Sequence, residues 1–335
     1  MVRKLVSALV LAAAVALTGC GKGGSGVSGT EPASVAIGIQ NGVAYIPFHV
    51  MQDQGLVEKH ARRLGVTLKA DYRNLGQAAF VRDALLADQI QFGVAGPPTL
   101  VTMHEKTGGD IKAMGAVVSV PIWVNTTNPK VKTVCDFSDG DKIAVATVKS
   151  SVQAVTLQMM TKAWCGDPFR DDRFTVSMPH PDAYNALMSG TVSAHMATPP
   201  FAVDEIENGK GRVRRIASSY DVLGGKGTLV FLITSERWRT AHPKAYEAVR
   251  AAFEEAEAWV RAHPREAAET YLRIEKPRQP VEEVLKQVTM PEVVYGTDPV
   301  ALGKYAAFMH EIGTVKRAYG WQDLSMPELR SRPGS

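Results

Sequence analysis

The chain has 335 residues, 45% of them apolar, with 38 Lys and Arg against 34 Asp and Glu and a formal net charge of +4. That length exceeds what a single hydrophobic core usually supports and points to two lobes. Charges this nearly balanced, with no Lys/Arg block interleaved with aromatics, exclude a nucleic-acid-binding surface; Arg212, Arg214 and Arg215 make only a short cluster suited to a solvated strand edge.

The first residues read as a leader. Arg3 and Lys4 precede an uncharged apolar run from Leu5 to Leu17, too short for a permanent span, which stops at Leu17-Thr18-Gly19-Cys20. Small residues directly before a cysteine fit a lipoprotein signal peptide of residues 1–20, with Cys20 as the lipidated N-terminus of the mature chain. Residues 21–33, rich in Gly and Ser, form a flexible tether. No second apolar stretch approaches the ~18 residues of a spanning helix. The expectation is a protein of the cell envelope, held to the membrane through a lipid on its periplasmic or extracytoplasmic face.

Beyond the tether, β-branched runs alternate with helical patterns. Strands are expected at Val35–Ile39, Val66–Asp71, Phe92–Ala95, Ile111–Val117, Lys142–Ala146, Phe174–Ser177, Ala194–Ala197, Val213–Ala217 and Leu229–Thr234. Helices are expected at Pro47–Gln54, Gln77–Leu86, Thr99–Lys106, Ser151–Trp164, Asp182–Met188 and Phe201–Asn208, then at Lys244–Ala262, Pro264–Leu272, Val281–Val288 and Val300–Ile312. Such alternation means an α/β fold with largely parallel sheets, and the helical tail wraps a lobe already built. Extended stretches at Val120–Asn125 and Ser218–Gly225 interrupt the pattern. They read as the two crossings of a two-stranded hinge, with residues 34–120 plus 223–330 forming lobe 1 and residues 121–222 forming lobe 2. Cys135 and Cys165 are the remaining cysteines; an oxidising compartment permits one disulfide between them, and the sequence leaves that pairing and two separate buried thiols equally open.

In open α/β sheets ligands bind beyond the carboxyl ends of strands, where helices begin and their free N–H groups converge. The loops in those places supply the candidate ligand-binding residues: Gln40, Asn41 and Tyr45 after the first strand, Asn74, Gly76 and Gln77 after the second, Gly96 and Pro97 after the third. Lobe 2 adds Lys149, Ser150 and Ser151, an anion seat at a helix start, and Pro199, Pro200 and Phe201. Each loop singly is also ordinary capping chemistry. The eight histidines show no metal-binding spacing and read as surface or helix residues. Hydrolase elbow, P-loop and dinucleotide motifs are absent, so neither a catalytic residue nor a metal or cofactor is expected.

From Ile37 to about Leu329 the chain resembles the substrate-binding lipoproteins of nitrate/sulfonate/taurine-type ABC importers. The likeness rests on Ala84-Leu85-Leu86-Ala87-Asp88-Gln89-Ile90-Gln91-Phe92-Gly93, on Asp136-Phe137 through Lys142-Ile143-Ala144-Val145 followed by Lys149-Ser150-Ser151, and on His242-Pro243-Lys244-Ala245 and Trp259 to Ala268. It implies a two-lobed periplasmic-binding-protein fold of type II that closes on a small solute and delivers it to a permease and its ATPase encoded elsewhere. Two departures remove a carboxylate from the implied cleft: Ala197-Thr198-Pro199-Pro200-Phe201 replaces a Trp-Asp-Pro-Phe, and Gly96-Pro97-Pro98 replaces a Gly-Asp-Ala-Pro. Losing negative charge suits an anionic or neutral ligand. The alternatives are an enzyme on the same fold acting on a small carboxylic acid, and a ligand-sensing partner of a membrane receptor.

Overall fold

The computed structural model describes residues 30–296 and 298–335. The leader, Cys20 and the tether up to residue 29 lie outside the described residues. The chain opens with β1 (Ser34–Ile39), α1 (Ile46–Asp53), α2 (Leu56–Arg63), β2 (Lys69–Asn74), α3 (Ala78–Leu86), β3 (Phe92–Ala95), α4 (Pro97–Lys106) and β4 (Ile111–Ser119). It continues through β5 (Trp123–Thr126), β6 (Ile143–Val145), α5 (Val152–Cys165), β7 (Thr175–Ser177), α6 (His180–Ser189), β8 (Ala194–Ala197), α7 (Phe201–Asn208), β9 (Arg214–Ser218) and α8 (Ser219–Leu223). The last part holds β10 (Thr228–Ser235), α9 (Glu236–Ala241), α10 (Pro243–Ala262), α11 (Pro264–Glu275), α12 (Val281–Val288), β11 (Val294–Tyr295), α13 (Leu302–Glu311) and α14 (Pro327–Arg330).

These strands form two sheets, one ordered β11-β4-β10-β3-β1-β2 and the other β7-β6-β8-β5-β9. In the first, β1 pairs in parallel with β2 and β3, while β10 runs antiparallel between β3 and β4. In the second, β6 pairs in parallel with β7 and β8, and β5 runs antiparallel between β8 and β9. The two reversed strands follow from the crossings. A chain that leaves one sheet at the carboxyl end of a strand and reaches the other within a few residues enters it from that same side, and so runs against its neighbours. The carboxyl ends of the parallel strands in both sheets therefore lie toward the crossings. The crossings are tied to each other: Ile122 N–H donates to Ser219 Oγ at 2.9 Å, and Ser219 N–H donates to Ile122 O at 2.8 Å.

Packing explains the layers. β3 and β10 are buried along almost their whole length, as sheet centres covered on both faces must be. On one face α10 crosses α1, with the Phe48 and Phe253 rings stacked at 5.8 Å. Gly115 in β4 makes room for that ring, since a Cβ there would lie 2.5 Å from Phe253 Cε1. On the other face α4 and α13 close a core holding Leu100, Phe231 and Tyr305. Two elements reach from one sheet's layers to the other's. α5 lends Val155 and Met159 to the core around Tyr305, and Thr156 Oγ1 meets Tyr305 OH at 2.7 Å. The chain around α12 reaches α7: Gln279 Nε2 donates to Asp204 Oδ2 at 3.3 Å, Lys286 pairs with Glu207, and Met290 packs on Trp123 and Ala202.

Several expectations are corrected. The second strand is Lys69–Asn74, three residues later than Val66–Asp71, because this edge strand is largely exposed and carries no apolar signal. The stretch Val120–Asn125 is a crossing only as far as Ile122; Trp123 onward is β5. Ser218–Gly225 is a short helix, not an extended strand, because Ser218 and Asp221 form a capping box. α2 begins after Gly55, whose positive φ of 57° separates it from α1, and β11 adds a strand to the helical tail. No helix among the described residues is long and apolar enough to cross a membrane.

Cys135 and Cys165 form a disulfide, their Cα atoms 5.6 Å apart across a separation of 30 residues. It ties the last turn of α5 to the turn before β6. Replacing both cysteines by serine is expected to cost about 3–4 kcal/mol by the loop-closure relation, measured as a fall in unfolding free energy in urea, with reducing agent producing the same fall in the unaltered chain.

Candidate functional site

The sequence-predicted residues fall into three groups at the carboxyl ends of the strands. The first holds the loops after β1 and β2. Asn74, the last residue of β2, donates its amide to Asn41 Oδ1, while Gly76 N–H donates to Asn74 Oδ1 at 3.0 Å, so the two loops are locked together. Both oxygens of Glu275 accept from Gly42 N–H at 3.0 Å, and the same carboxylate lies 2.7 Å from His49 Nε2. Gln40 is half-buried, and Asn41, Gly76 and Gln77 are exposed. Tyr45 lies behind this surface, only 7% exposed, and burial with the nearby Glu275 raises its phenol pKa.

The second group is where the layers meet. Gly96, at the end of β3, is buried against the first turn of α5: a Cβ there would lie 3.2 Å from Val152 Cβ and 3.3 Å from Leu229 O. Pro97 begins α4 beside it, so the starts of α4 and α5 come together. Ser151 caps α5 by accepting from Ala154 N–H at 3.2 Å. Lys149 takes a positive φ of 61°, and it and Ser150 are exposed.

The third group joins the starts of α6 and α7. The Pro199–Pro200 bond is cis, both prolines are buried, and Phe201 opens α7 with its ring stacked on His180 at 5.6 Å and 17°. Beneath this stack runs a chain of polar groups that the candidate residues leave out. Gln153 Nε2 lies 3.2 Å from His180 Nε2, His180 Nδ1 lies 2.9 Å from His195 Nε2, and His195 Nδ1 lies 2.5 Å from Glu205 Oε1. Asn125 donates to Glu205 Oε2 at 2.8 Å. His195, Glu205 and Asn125 are fully buried. The reading of the histidines as surface or helix residues holds for His180, which opens α6, and is wrong for His195, which is buried within β8. A usable signal existed: His195 interrupts the apolar strand Ala194–Ala197, and Glu205 falls one helical turn after Phe201, on the face α7 turns to the sheet.

Burial sets the charges. It pushes the Glu205 carboxyl up to about 8 against a hydrogen bond from Asn125 that lowers it. The His195 imidazole is driven down to about 3 by burial, and His180 likewise to about 3 by burial and then by the neighbouring His195. The chain is therefore uncharged near neutrality. Asp204 beside it is raised to about 6, by burial first and then by Glu283, Glu207 and Glu205. No group of three His, Cys, Asp or Glu among the described residues is arranged to hold a metal ion.

A family model described as the NMT1-like family matches residues 28–274. The chain belongs to that family. Among solved structures, the alkanesulfonate-binding protein SsuA of Xanthomonas axonopodis pv. citri bound to MOPS is similar with a TM-score of 0.68 and 19% identity, covering 89% of this chain and 99% of that one. The periplasmic aliphatic sulphonate binding protein SsuA of Escherichia coli gives 0.66 and 19%, covering 88% and 92%. The periplasmic nitrate-binding protein NrtA of Synechocystis PCC 6803 gives 0.65 and 14%, covering 84% and 82%. No curated protein sequence matches the chain. At these identities the likeness shows the fold, a two-sheet periplasmic-binding-protein fold, as the sequence resemblance implied.

Glu205 gives the folded state a pH signature. The unfolded chain loses this proton in the ordinary carboxylate range and the folded chain only near 8. Its contribution is full below the ordinary range and lost as pH rises toward 8. Glu205→Gln removes that loss. The variant is expected to gain on the unaltered protein by up to about 1.4 kcal/mol per pH unit between pH 5 and 8, read from denaturation midpoints across the range.

Proposed function

We propose that the chain is an extracytoplasmic solute-binding component of an ABC importer, which captures a small anionic organic solute of the sulfonate, taurine, nitrate or carboxylate class and turns nothing over. The observation that carries this reading is the convergence of the starts of α4 and α5 at Gly96 and Val152. The α5 start offers the Val152 and Gln153 N–H groups as an anion seat, bordered by Lys149, Ser150 and Ser151, while α4, which opens on Pro97 and Pro98, adds the positive end of its helix dipole rather than N–H donors. The Glu205 carboxyl, linked to the α5 start through His195, His180 and Gln153, is pushed up to about 8 and so is neutral near pH 7, which removes its repulsion of an anion. The sulfonate- and nitrate-binding proteins that share the fold support the same ligand class.

In this reading residues 34–120 with 223–330 form one lobe, residues 121–222 the other, and the crossings at Ile122 and Ser219 flex as the lobes close. Gln40, Asn41, Tyr45, Asn74, Gly76, Gln77, Gly96 and Pro97 supply one side of the cleft, and Lys149, Ser150, Ser151, Pro199, Pro200 and Phe201 the other. Lipid on Cys20 holds the body at the membrane, where a permease and its ATPase act in trans. The leader residues and the fold support that arrangement.

The test is thermal unfolding with ethanesulfonate, taurine, nitrate, acetate and choline. A ligand bound only by the folded state raises the melting temperature with concentration. A shift with one of the anions, joined by a smaller radius of gyration, is the expected outcome; a shift with choline alone overturns it. Where an anion does bind, Phe201→Ala is expected to weaken it by roughly 1–3 kcal/mol, read by calorimetric titration.

A further inference from the structure

The chain from Gln153 to Glu205 has two complete hydrogen-bonding arrangements, and they present opposite polarity at its outer end. With Glu205 ionised, His195 Nδ1–H donates to the carboxylate, His180 Nδ1–H donates to His195 Nε2, and the Gln153 amide donates to His180 Nε2. With Glu205 protonated, its O–H donates to His195 Nδ1, His195 Nε2–H donates to His180 Nδ1, and His180 Nε2–H donates to the Gln153 carbonyl oxygen. Each step uses a contact of 2.5 to 3.2 Å already in place. The two ends of a carboxamide have nearly the same shape, so the second arrangement needs only a half-turn of the Gln153 amide. Passage between them takes up one proton at His180 Nε2. The Nδ1 protons of the two histidines each move one place along, and the charge on Glu205 is neutralised.

Gln153 is 6% exposed and bonds His180 through one end of its amide; the other end bonds nothing among the described residues and is not sealed from solvent. It sits in the first turn of α5, two residues after Ser151, at the helix start where the ligand is placed above. Resting on that reading, we propose that Gln153 is a specificity-determining residue whose free end is set by Glu205 through the two histidines: an NH2 donor for an anion when Glu205 holds its proton, a carbonyl acceptor when it does not. Below about 8 the donor arrangement prevails, because burial keeps the carboxyl protonated there. Glu205 itself meets Asn125 on β5 at 2.8 Å and His195 on β8, which joins it to His180 on α6; beside it on α7 is Asp204, whose own charged neighbours are Glu207 on α7 and Glu283 and Lys286 on α12, and Arg215 on β9 pairs in register with Asn125.

The test reads the histidines before any ligand is added. In the full chain labelled with 15N-histidine, two-bond 15N–1H spectra are expected to show His180 and His195 as Nε2–H tautomers at pH 6.5 and as Nδ1–H tautomers at pH 9.5. Glu205→Gln, whose amide donates to His195 Nδ1 at every pH, keeps the Nε2–H form throughout. Ethanesulfonate is expected to bind the unaltered protein roughly thirtyfold more weakly at pH 9.5 than at pH 6.5, the ratio of donor-form populations for a group titrating near 8, and to bind the variant equally at both. Unchanged tautomers, or cationic histidines at pH 6.5, overturn the proposal even if ethanesulfonate binds. Tautomers that invert without ethanesulfonate binding at either pH overturn both the role of Gln153 and the sulfonate reading. Inversion with the same pH dependence of affinity in both proteins overturns the role of Gln153 alone.

Discussion

Everything in this molecule is arranged around two short passages of chain that bond to each other. Ile122 and Ser219 exchange hydrogen bonds where the chain leaves one sheet and returns to it. Because the passages are brief, β5 and β10 must run against their neighbours, and the carboxyl ends of the remaining strands must lie on the side where the sheets meet. Helix starts gather there for the same reason. A surface lined by helix starts thus follows from connectivity, and the sequence then decides how many N–H groups it offers.

The side chains then divide the labour. At the first sheet the work is done by carboxamides and one half-buried carboxylate: Asn74 joins two loops, and Glu275 holds the backbone of Gly42. At the second sheet it is done by imidazoles between a carboxyl group and an amide, roofed by Phe201. The first arrangement fixes backbone position, while the second orients a hydrogen-bond end. In the second, each carboxyl, imidazole and amide group has at least one partner, while Asn125 Oδ1 is buried without one.

Much of this was legible in the sequence. Strands such as Phe92–Ala95 and Ala194–Ala197 were readable to the residue, because they are short apolar runs at sheet centres. The edge strand β2 was misplaced because exposure removes the signal that marks an interior strand. Ser218–Gly225 misled because two serines and two glycines suggest a loop unless Asp221 is recognised as the partner in a cap. The loops at the strand ends were found from topology alone. The polar chain was not, since Gln153, His180, His195 and Glu205 come from four different elements and share no sequence spacing. Only the placing of His195 in an apolar strand and of Glu205 one turn after Phe201 pointed inward. The disulfide was undecidable for a related reason: the approach of Cys135 to Cys165 depends on how α5 docks on the turn before β6.

The position of β10 has a consequence for how the molecule is made. This strand sits between β3 and β4, yet it follows β4 by more than a hundred residues. As synthesis proceeds from the amino terminus, β3 and β4 emerge with no partner between them, and the first layer stays open until the whole second sheet has been produced. Contacts so distant in sequence form slowly. The nascent chain is thus kept from premature closure by its own order of elements.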